Sequence, residues 1–259
     1  MWEAIVVLAV ALAASLLTFF SGFGLGTLLL PAFALVFPLD VAVAATAVVH
    51  LANNLAKGGL VGLDADRAVV VRFGVPAVLA AFAGAGLLLL LEGQRLASYR
   101  LGGERDVTAV GLVVGLLITV FALFELVPRL REWTVGRRWL SLGGALSGFF
   151  GGLSGHQGAL RSAFLAKVLP TARVFVATGT LCAILVDVAR LLVYAGRYAE
   201  DAGALGRDGW WLVAGAAAMA LAGAVIGTRL LPKATIGGLR VLVGILLLVL
   251  GPAIAAGLV

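Results

Sequence analysis

Apolar residues fill long blocks of this chain, at 4–20, 27–37, 41–63, 69–91, 107–127, 139–153, 159–169, 171–196, 209–231 and 236–259, with short charged clusters between them. A helix needs roughly 20 apolar residues to cross ~30 Å of hydrocarbon. The blocks starting at Val41, Val69, Val107, Thr171, Gly209 and Ile236 meet that length. The other four form two pairs, each a short helix, a glycine-rich break and a second short helix. Such a pair predicts a re-entrant hairpin or a broken helix.

The two pairs resemble each other. Ser21-Gly22-Phe23-Gly24-Leu25-Gly26-Thr27-Leu28, closing at Phe37-Pro38, aligns with Ser154-Gly155-His156-Gln157-Gly158-Ala159-Leu160, closing at Leu169-Pro170. Thr46 then falls on Thr178 and Lys57 close to Arg190, while Ala83-Gly84-Ala85 matches Ala222-Gly223-Ala224. The pattern predicts an all-α polytopic integral membrane protein of two homologous inverted repeats. Each repeat is a glycine-broken or re-entrant helix pair followed by three transmembrane helices. Residues 1–128 form the first repeat, 129–138 a basic cytoplasmic linker and 139–259 the second, within one membrane domain.

Basic residues choose the topology, because cytoplasmic loops carry the excess of Lys and Arg. If each pair crosses once, as a single broken helix, the faces carry eight and seven. If each pair returns to its own side, Lys167 and Arg173 join Arg67, Arg72, Arg129, Arg131, Arg137, Arg138, Arg229 and Lys233, giving ten against five. The second arrangement makes the repeats inverted, with both termini outside.

Composition narrows the class. With 62% hydrophobic and 12% charged residues and a mean hydropathy of +1.13, the chain has too few charges to cover a soluble globule. Its 19 basic and 13 acidic residues leave +6, but the basic ones are dispersed among loops, which excludes a nucleic-acid stripe. A single cysteine, Cys182, and two histidines give no disulfide and no Cys/His metal-site spacing, so neither metal nor cofactor is expected. Met1-Trp2-Glu3 lacks the positive start of a secretory signal, so the first apolar block is expected to stay in the fold.

Helix ends interrupted at mid-membrane expose backbone groups that can replace a hydration shell. The helices predicted to begin near Thr27 and Ala159 would turn N–H groups and positive dipole ends to the centre, which suits an anion; Gly22, Gly24, Gly26, Gly155 and Gly158 are the candidate backbone contacts. Pro31 fits the first turn of such a helix. Glycines that merely let helices pack closely are the alternative. Arg161 lies inside an apolar stretch, where it either forks onto an oxyanion, pairs with Asp187 or snorkels to the cytoplasmic face. His50, Asn53, Asn54 and Lys57 share one helical face, and Asp187 and Arg190 stand one turn apart in the other half near Thr178. For these the choice is substrate contact, interhelical hydrogen bonding or, for Lys57 and Arg190, snorkelling. Asp187 is better placed as Arg190's partner than as a proton carrier. His156 and Gln157, at the tip of the second break, are expected to line a cavity. Cys182, Glu125 and Arg240 are expected to serve packing or helix ends.

The two-half build, Gly22-Phe23-Gly24-Leu25-Gly26 followed by Pro31, and Gly148-Phe149-Phe150-Gly151-Gly152-Leu153-Ser154-Gly155 resemble the TauE/SafE-type transporters, described as sulfite exporters. Family members show adjacent glycines at each break, whereas here Leu25 interrupts the first and His156-Gln157 replaces part of the second. The resemblance implies ion-gradient-driven transport of a small anion, such as sulfite, a sulfonate or another sulfur-containing organic acid. A multi-pass protein of the cell inner (cytoplasmic) membrane is expected, with lipid around it, a proton or sodium as coupling ion, and a homodimer as one possible assembly. A phosphate-binding Gly-Lys-Ser/Thr loop is absent, so primary pumping is not expected. The alternatives are a cation or transition-metal transporter, which needs His50, His156 and Cys182 to converge, and a membrane-embedded enzyme built on Asp187 and His156.

Overall fold

A computed structural model describes residues 2–21, 25–131, 134–198, 206–230 and 237–258, and the fold is 82% helical. With no water to satisfy backbone groups in hydrocarbon, apolar runs of this length close their own hydrogen bonds as helices. They are α1 (Trp2–Ser21), α2 (Leu25–Ala34), α3 (Leu39–Val61), α4 (Arg67–Leu91), α5 (Ala109–Leu126), the single turn α6 (Pro128–Arg131), α7 (Leu140–Ser154), α8 (Gly158–Leu165), α9 (Ala172–Tyr198), α10 (Gly206–Leu230) and α11 (Gly237–Ala255). Among the described residues, the stretches 39–64, 67–91, 172–196 and 206–227 are long and apolar enough to cross a membrane. The protein is a polytopic α-helical membrane protein.

Side chains start two of the helices. Asp66 accepts from the Val69 N–H at 3.0 Å to open α4, and Thr108 accepts from the Gly111 N–H at 3.0 Å to open α5. Gly155, at φ 82°, ends α7 in the left-handed conformation that a side chain would strain.

Four details differ from the sequence reading. An antiparallel hairpin of β1 (Arg95–Arg100) and β2 (Glu104–Thr108) precedes α5, so the apolar block predicted from Val107 begins in a strand. The hairpin is largely exposed at the membrane surface, where its outer edges can find water. The first broken pair is unequal: α1 has 20 residues and α2 has 10. The half-helices start at Leu25 and Gly158, slightly before Thr27 and Ala159, and α8 stops at Leu165. Pro31 therefore stands in the second turn of α2, where its missing N–H leaves the Thr27 carbonyl without its usual donor.

Helices of the two halves interleave. The α3 and α9 helices cross antiparallel, with His50 against Asp187 and Asp66 against Thr178. The α5 and α11 helices also run antiparallel, through Gly111 against Ile254 and Gly115 against Gly251. By contrast α1 lies parallel to α10, with Leu8 beside Gly215 and Ser15 beside Gly223, and α4 lies parallel to α7. A side chain at Gly144, Gly148 or Gly152 of α7 would run into the carbonyls of Phe73, Ala77 and Ala81 of α4. These three glycines, four residues apart, bring two backbones into contact, as small residues do between membrane helices.

These contacts gather the loops on two faces. Arg173 pairs with Asp64 at 2.8 Å, the Val135 N–H donates to the Ala163 carbonyl, and the Ser141 hydroxyl donates to the Arg72 carbonyl. The start of α4, the linker and the α8–α9 corner thus share one face. On the other, Tyr99 Oη donates to the Ala256 carbonyl at 2.7 Å, tying the hairpin to the C-terminal end. An open cavity on that second face is lined by Asp40, Glu92, Glu104, Arg105, Asp106 and neighbours, far along the chain elements from the breaks. Trp2 and Trp211, 63% and 68% exposed at the starts of the parallel pair α1 and α10, fit an interfacial aromatic belt.

Candidate functional site

Ten residues of α2 rise about 15 Å and eight of α8 about 12 Å at 1.5 Å per residue, which sets both breaks near the middle of a ~30 Å core. There the start of α2 meets the second break: a Cβ on Gly26 would stand 3.1 Å from the Gly155 carbonyl oxygen and 4.0 Å from His50 Cδ2. Gly22 and Gly24 lie outside the described residues.

Asp187 is the hub of this centre and is fully buried. Its Oδ2 receives His50 Nδ1 at 2.6 Å and Asn54 Nδ2 at 2.9 Å. Its Oδ1 receives Arg190 Nη2 at 2.8 Å, Arg190 Nε at 3.1 Å and Gln157 Nε2 at 3.2 Å. The one-turn spacing of Asp187 and Arg190 makes their fork intrahelical, and the antiparallel crossing of α3 brings in His50 and Asn54 from the other half. A carboxylate with this many donors is held in charge-assisted bonds. Gln157 then links it to Arg161, whose Nη1 donates to Gln157 Oε1 at 3.0 Å. Arg161 crosses to α9 beside Gly179, where an added Cβ would lie 3.4 Å from its Nε.

Burial separates the alternatives for the charged residues. Lys57 is 3% exposed, Arg161 7% and Arg190 0%, so none reaches the protein surface by snorkelling. Arg190 is Asp187's direct ion-pair partner, and Gln157 stands between Asp187 and Arg161. Arg190 Nη1 points into the notch left by Gly155, where a Cβ would be only 2.7 Å away. The left-handed turn and the missing side chain at Gly155 thus serve one arrangement.

The second break also fixes His156. Ser154 Oγ donates to the Phe150 carbonyl at 3.2 Å and so accepts from His156 Nδ1 at 3.0 Å, which leaves Nε2 with a free lone pair. The ring stacks on Phe121 of α5, centroids 5.6 Å apart. Gln157 is seated by Gly151 and by the Ser147 hydroxyl, which donates to its carbonyl at 3.0 Å.

The remaining expected residues divide. Asn53 is buried and its Oδ1 accepts from Ser15 Oγ at 2.9 Å. Thr27 and Gly158 are half-buried at the starts of their half-helices. Thr178 is buried away from Asp187: its hydroxyl accepts from the Asp66 N–H at 2.9 Å and pins the α3–α4 corner. Cys182 is buried in the apolar cluster of α4, α8 and α9. The side chains of Glu125 and Arg240 lie outside those described. The sequence reading missed Ser15, Ser147, Ser154, Phe121 and Gly179. Ser147 and Ser154 stand in or beside the glycine-rich motif, and that neighbourhood was the available signal; Ser15 and Phe121 gave none.

Among the described residues, several buried polar atoms of this region have no partner: Arg190 Nη1, Asn53 Nδ2, His156 Nε2 and Thr46 Oγ1. Unmatched buried donors are costly, and in a centre built from broken helices they mark where a ligand's acceptors go.

Interleaved helices, a half-helix start meeting the second break and a buried polar centre are the build of a helical membrane transporter. The family model described as Sulfite exporter TauE/SafE matches residues 7–254, and the chain belongs to that family. No curated protein and no solved structure gives a match.

Proposed function

We propose that the protein is a secondary transporter of a small sulfur oxyanion, sulfite or a sulfonate, held between the two breaks. The observation that carries this is the pair of buried donors without acceptors, Arg190 Nη1 and Asn53 Nδ2. Arg190 belongs to a cluster that also holds Lys57, Arg161 and, among the described residues, the single carboxylate of Asp187, and Asn53 follows His50 by one turn of α3. A ligand made of acceptor oxygens with negative charge matches both the donors and the field. Gln157, the N-cap of α8, makes no capping bond with its side chain, so the first N–H groups of that half-helix add to the same donor set. In this reading Gly22, Gly24, Gly26, Thr27, Gly155 and Gly158 supply backbone, and His50, Asn54, Lys57, His156, Gln157, Arg161 and Asp187 supply or position side chains. Thr178 acts on the site only by holding the α3–α4 corner.

The antiparallel equivalents α3 with α9 and α5 with α11, and the exchanged parallel pairs, support two inverted repeats. Arg67, Arg72, Arg173 and the linker sharing a face supports a cytoplasmic linker and outside termini in the cytoplasmic membrane. Two half-sites that close alternately around a fixed centre give alternating access.

Proteoliposome uptake of labelled sulfite and methanesulfonate, with acetate and a divalent metal for comparison, tests the reading. Saturable uptake of the sulfur oxyanions is expected, and loss of it in Arg161→Gln, a change that leaves Asp187 with Arg190 and His50. Absence of oxyanion uptake by the wild type, or full uptake in Arg161→Gln, overturns it.

A further inference from the structure

We propose that His50, clamped to Asp187, is the proton-binding site of the transport cycle, so that the coupling ion is a proton and travels with the anion. The inference rests on the anion reading above and adds the ion, its site and its direction.

The surroundings of Asp187 decide against sodium. A hard cation is held by several oxygen ligands. Here both carboxylate oxygens face nitrogen donors, from His50, Asn54, Gln157 and Arg190. A metal ion would have to displace N–H groups and sit beside a guanidinium. A proton needs one lone pair. The 2.6 Å contact places His50 Nδ1–H on Asp187 Oδ2, which fixes the ring and leaves Nε2 to take the proton. The step is an addition: a proton from bulk water joins the Nε2 lone pair, no bond breaks, and the imidazolium stays paired with the carboxylate.

Asp187 and Arg190 face His50 from α9 and Arg161 from α8, while Lys57 and Asn54 follow on its own helix. The second break brings His156 and Gln157. The α2 helix carries no charged residue, and the described charged side chains of α10, Arg207 and Asp208, are exposed at its start. His156 Nε2 has no partner among the described residues, but its Nδ1 rests on a neutral hydroxyl, so no carboxylate balances a proton there. His50 is the ring that has its counter-charge in place.

The coupling follows from charge. Loading His50 adds a positive charge to a cluster that already holds three basic side chains, and an anion in the same low-dielectric centre gains from it. By reciprocity the anion draws in the proton as strongly as the proton draws in the anion. An empty, unprotonated site returns with less charge to carry through the membrane.

Binding of methanesulfonate, an anion that stays ionised across about pH 5 to 9, to the purified full-length protein tests this, with proton uptake followed by an indicator dye in weak buffer. Wild type is expected to take up close to one proton per anion bound. Its affinity should fall as the pH rises, towards tenfold per pH unit once the free site has lost its proton. His50→Gln, which keeps an N–H for Asp187, should bind more weakly at low pH with a flat profile and no proton uptake. Replacing sodium by choline should change nothing. A wild type that binds with no pH slope, a slope that survives in His50→Gln or vanishes instead in His156→Gln, or a sodium requirement overturns the proton site while leaving the anion reading intact. Failure to bind the sulfonate at any pH, together with failed uptake of sulfite, overturns both.

Discussion

Two helix pairs, α4 with α7 and α3 with α9, solve the same problem in opposite ways. Lipid gives membrane helices no hydrophobic reason to associate, so contact must come from close packing or from polar pairing. Along α4 and α7 the solution is removal: Gly144, Gly148 and Gly152 let one backbone rest on the carbonyls of the other, with apolar Phe73, Ala77 and Ala81 between. Along α3 and α9 it is addition: His50, Asn54, Asp187 and Arg190 bridge the helices with charged hydrogen bonds. The first pair is closely packed and mostly apolar, and the second holds charge that a ligand or a proton can rearrange. Scaffold and site are thereby assigned to different helix pairs, and glycine belongs to both for different reasons.

The sharpest test of that separation is Gly148→Val. Two branched methyl groups would enter the space of the Ala77 carbonyl, and the helices can only part. Folded protein should disappear from the detergent-soluble fraction, lowering stability beyond the ~1–3 kcal/mol usual for overpacking. A well-folded Gly148→Val protein would show that the α4–α7 seam is not structural.

Next in size is Asp187→Asn. Arg190 would be left buried without its counter-charge, a loss of about 3–5 kcal/mol for breaking such a pair. Adding Arg190→Gln should recover thermal stability but not transport, whereas recovery of both would move Arg190 from the site to the scaffold.

Gly155→Ala should cost less stability and as much function. The left-handed turn adds about 1–2 kcal/mol of strain, and the new methyl displaces the Arg190 guanidinium. Size-exclusion profiles should stay close to wild type while anion uptake is lost; parallel loss of fold and uptake would merge the two roles of glycine.

Gly59→Ala closes the series. Gly59 lies on α3 with nothing within 4 Å of an added Cβ, so the change should leave uptake untouched and raise stability by up to about 1 kcal/mol of helix propensity, read as a small rise in melting temperature.

Much of this was determined by the sequence alone. Block lengths and the near absence of charge dictate a helical membrane protein, since only helices and closed barrels satisfy the backbone in lipid and continuous apolar blocks lack the alternation of barrel strands. The repeated Ser-Gly breaks are legible because α1 and α7 both end at serine, Ser21 and Ser154, and the half-helices resume at Leu25 and Gly158. The polar face of α3 and the Asp187–Arg190 turn are legible because helical periodicity is local. What remained for the tertiary structure is what depends on how helices cross. Sequence could not choose between packing and break for the glycines at 144–155; the α4 carbonyls show that Gly144, Gly148 and Gly152 pack, and the Arg190 notch shows that Gly155 does not. Thr178 matched Thr46 in the repeat, yet the antiparallel crossing carries it to Asp66, away from Asp187. Gln157 bridging Arg161 to Asp187, Ser15 beneath Asn53 and Phe121 under His156 join residues up to 38 positions apart. A contact between distant residues is set by crossing angle and depth, and neither is written in the periodicity of any single helix.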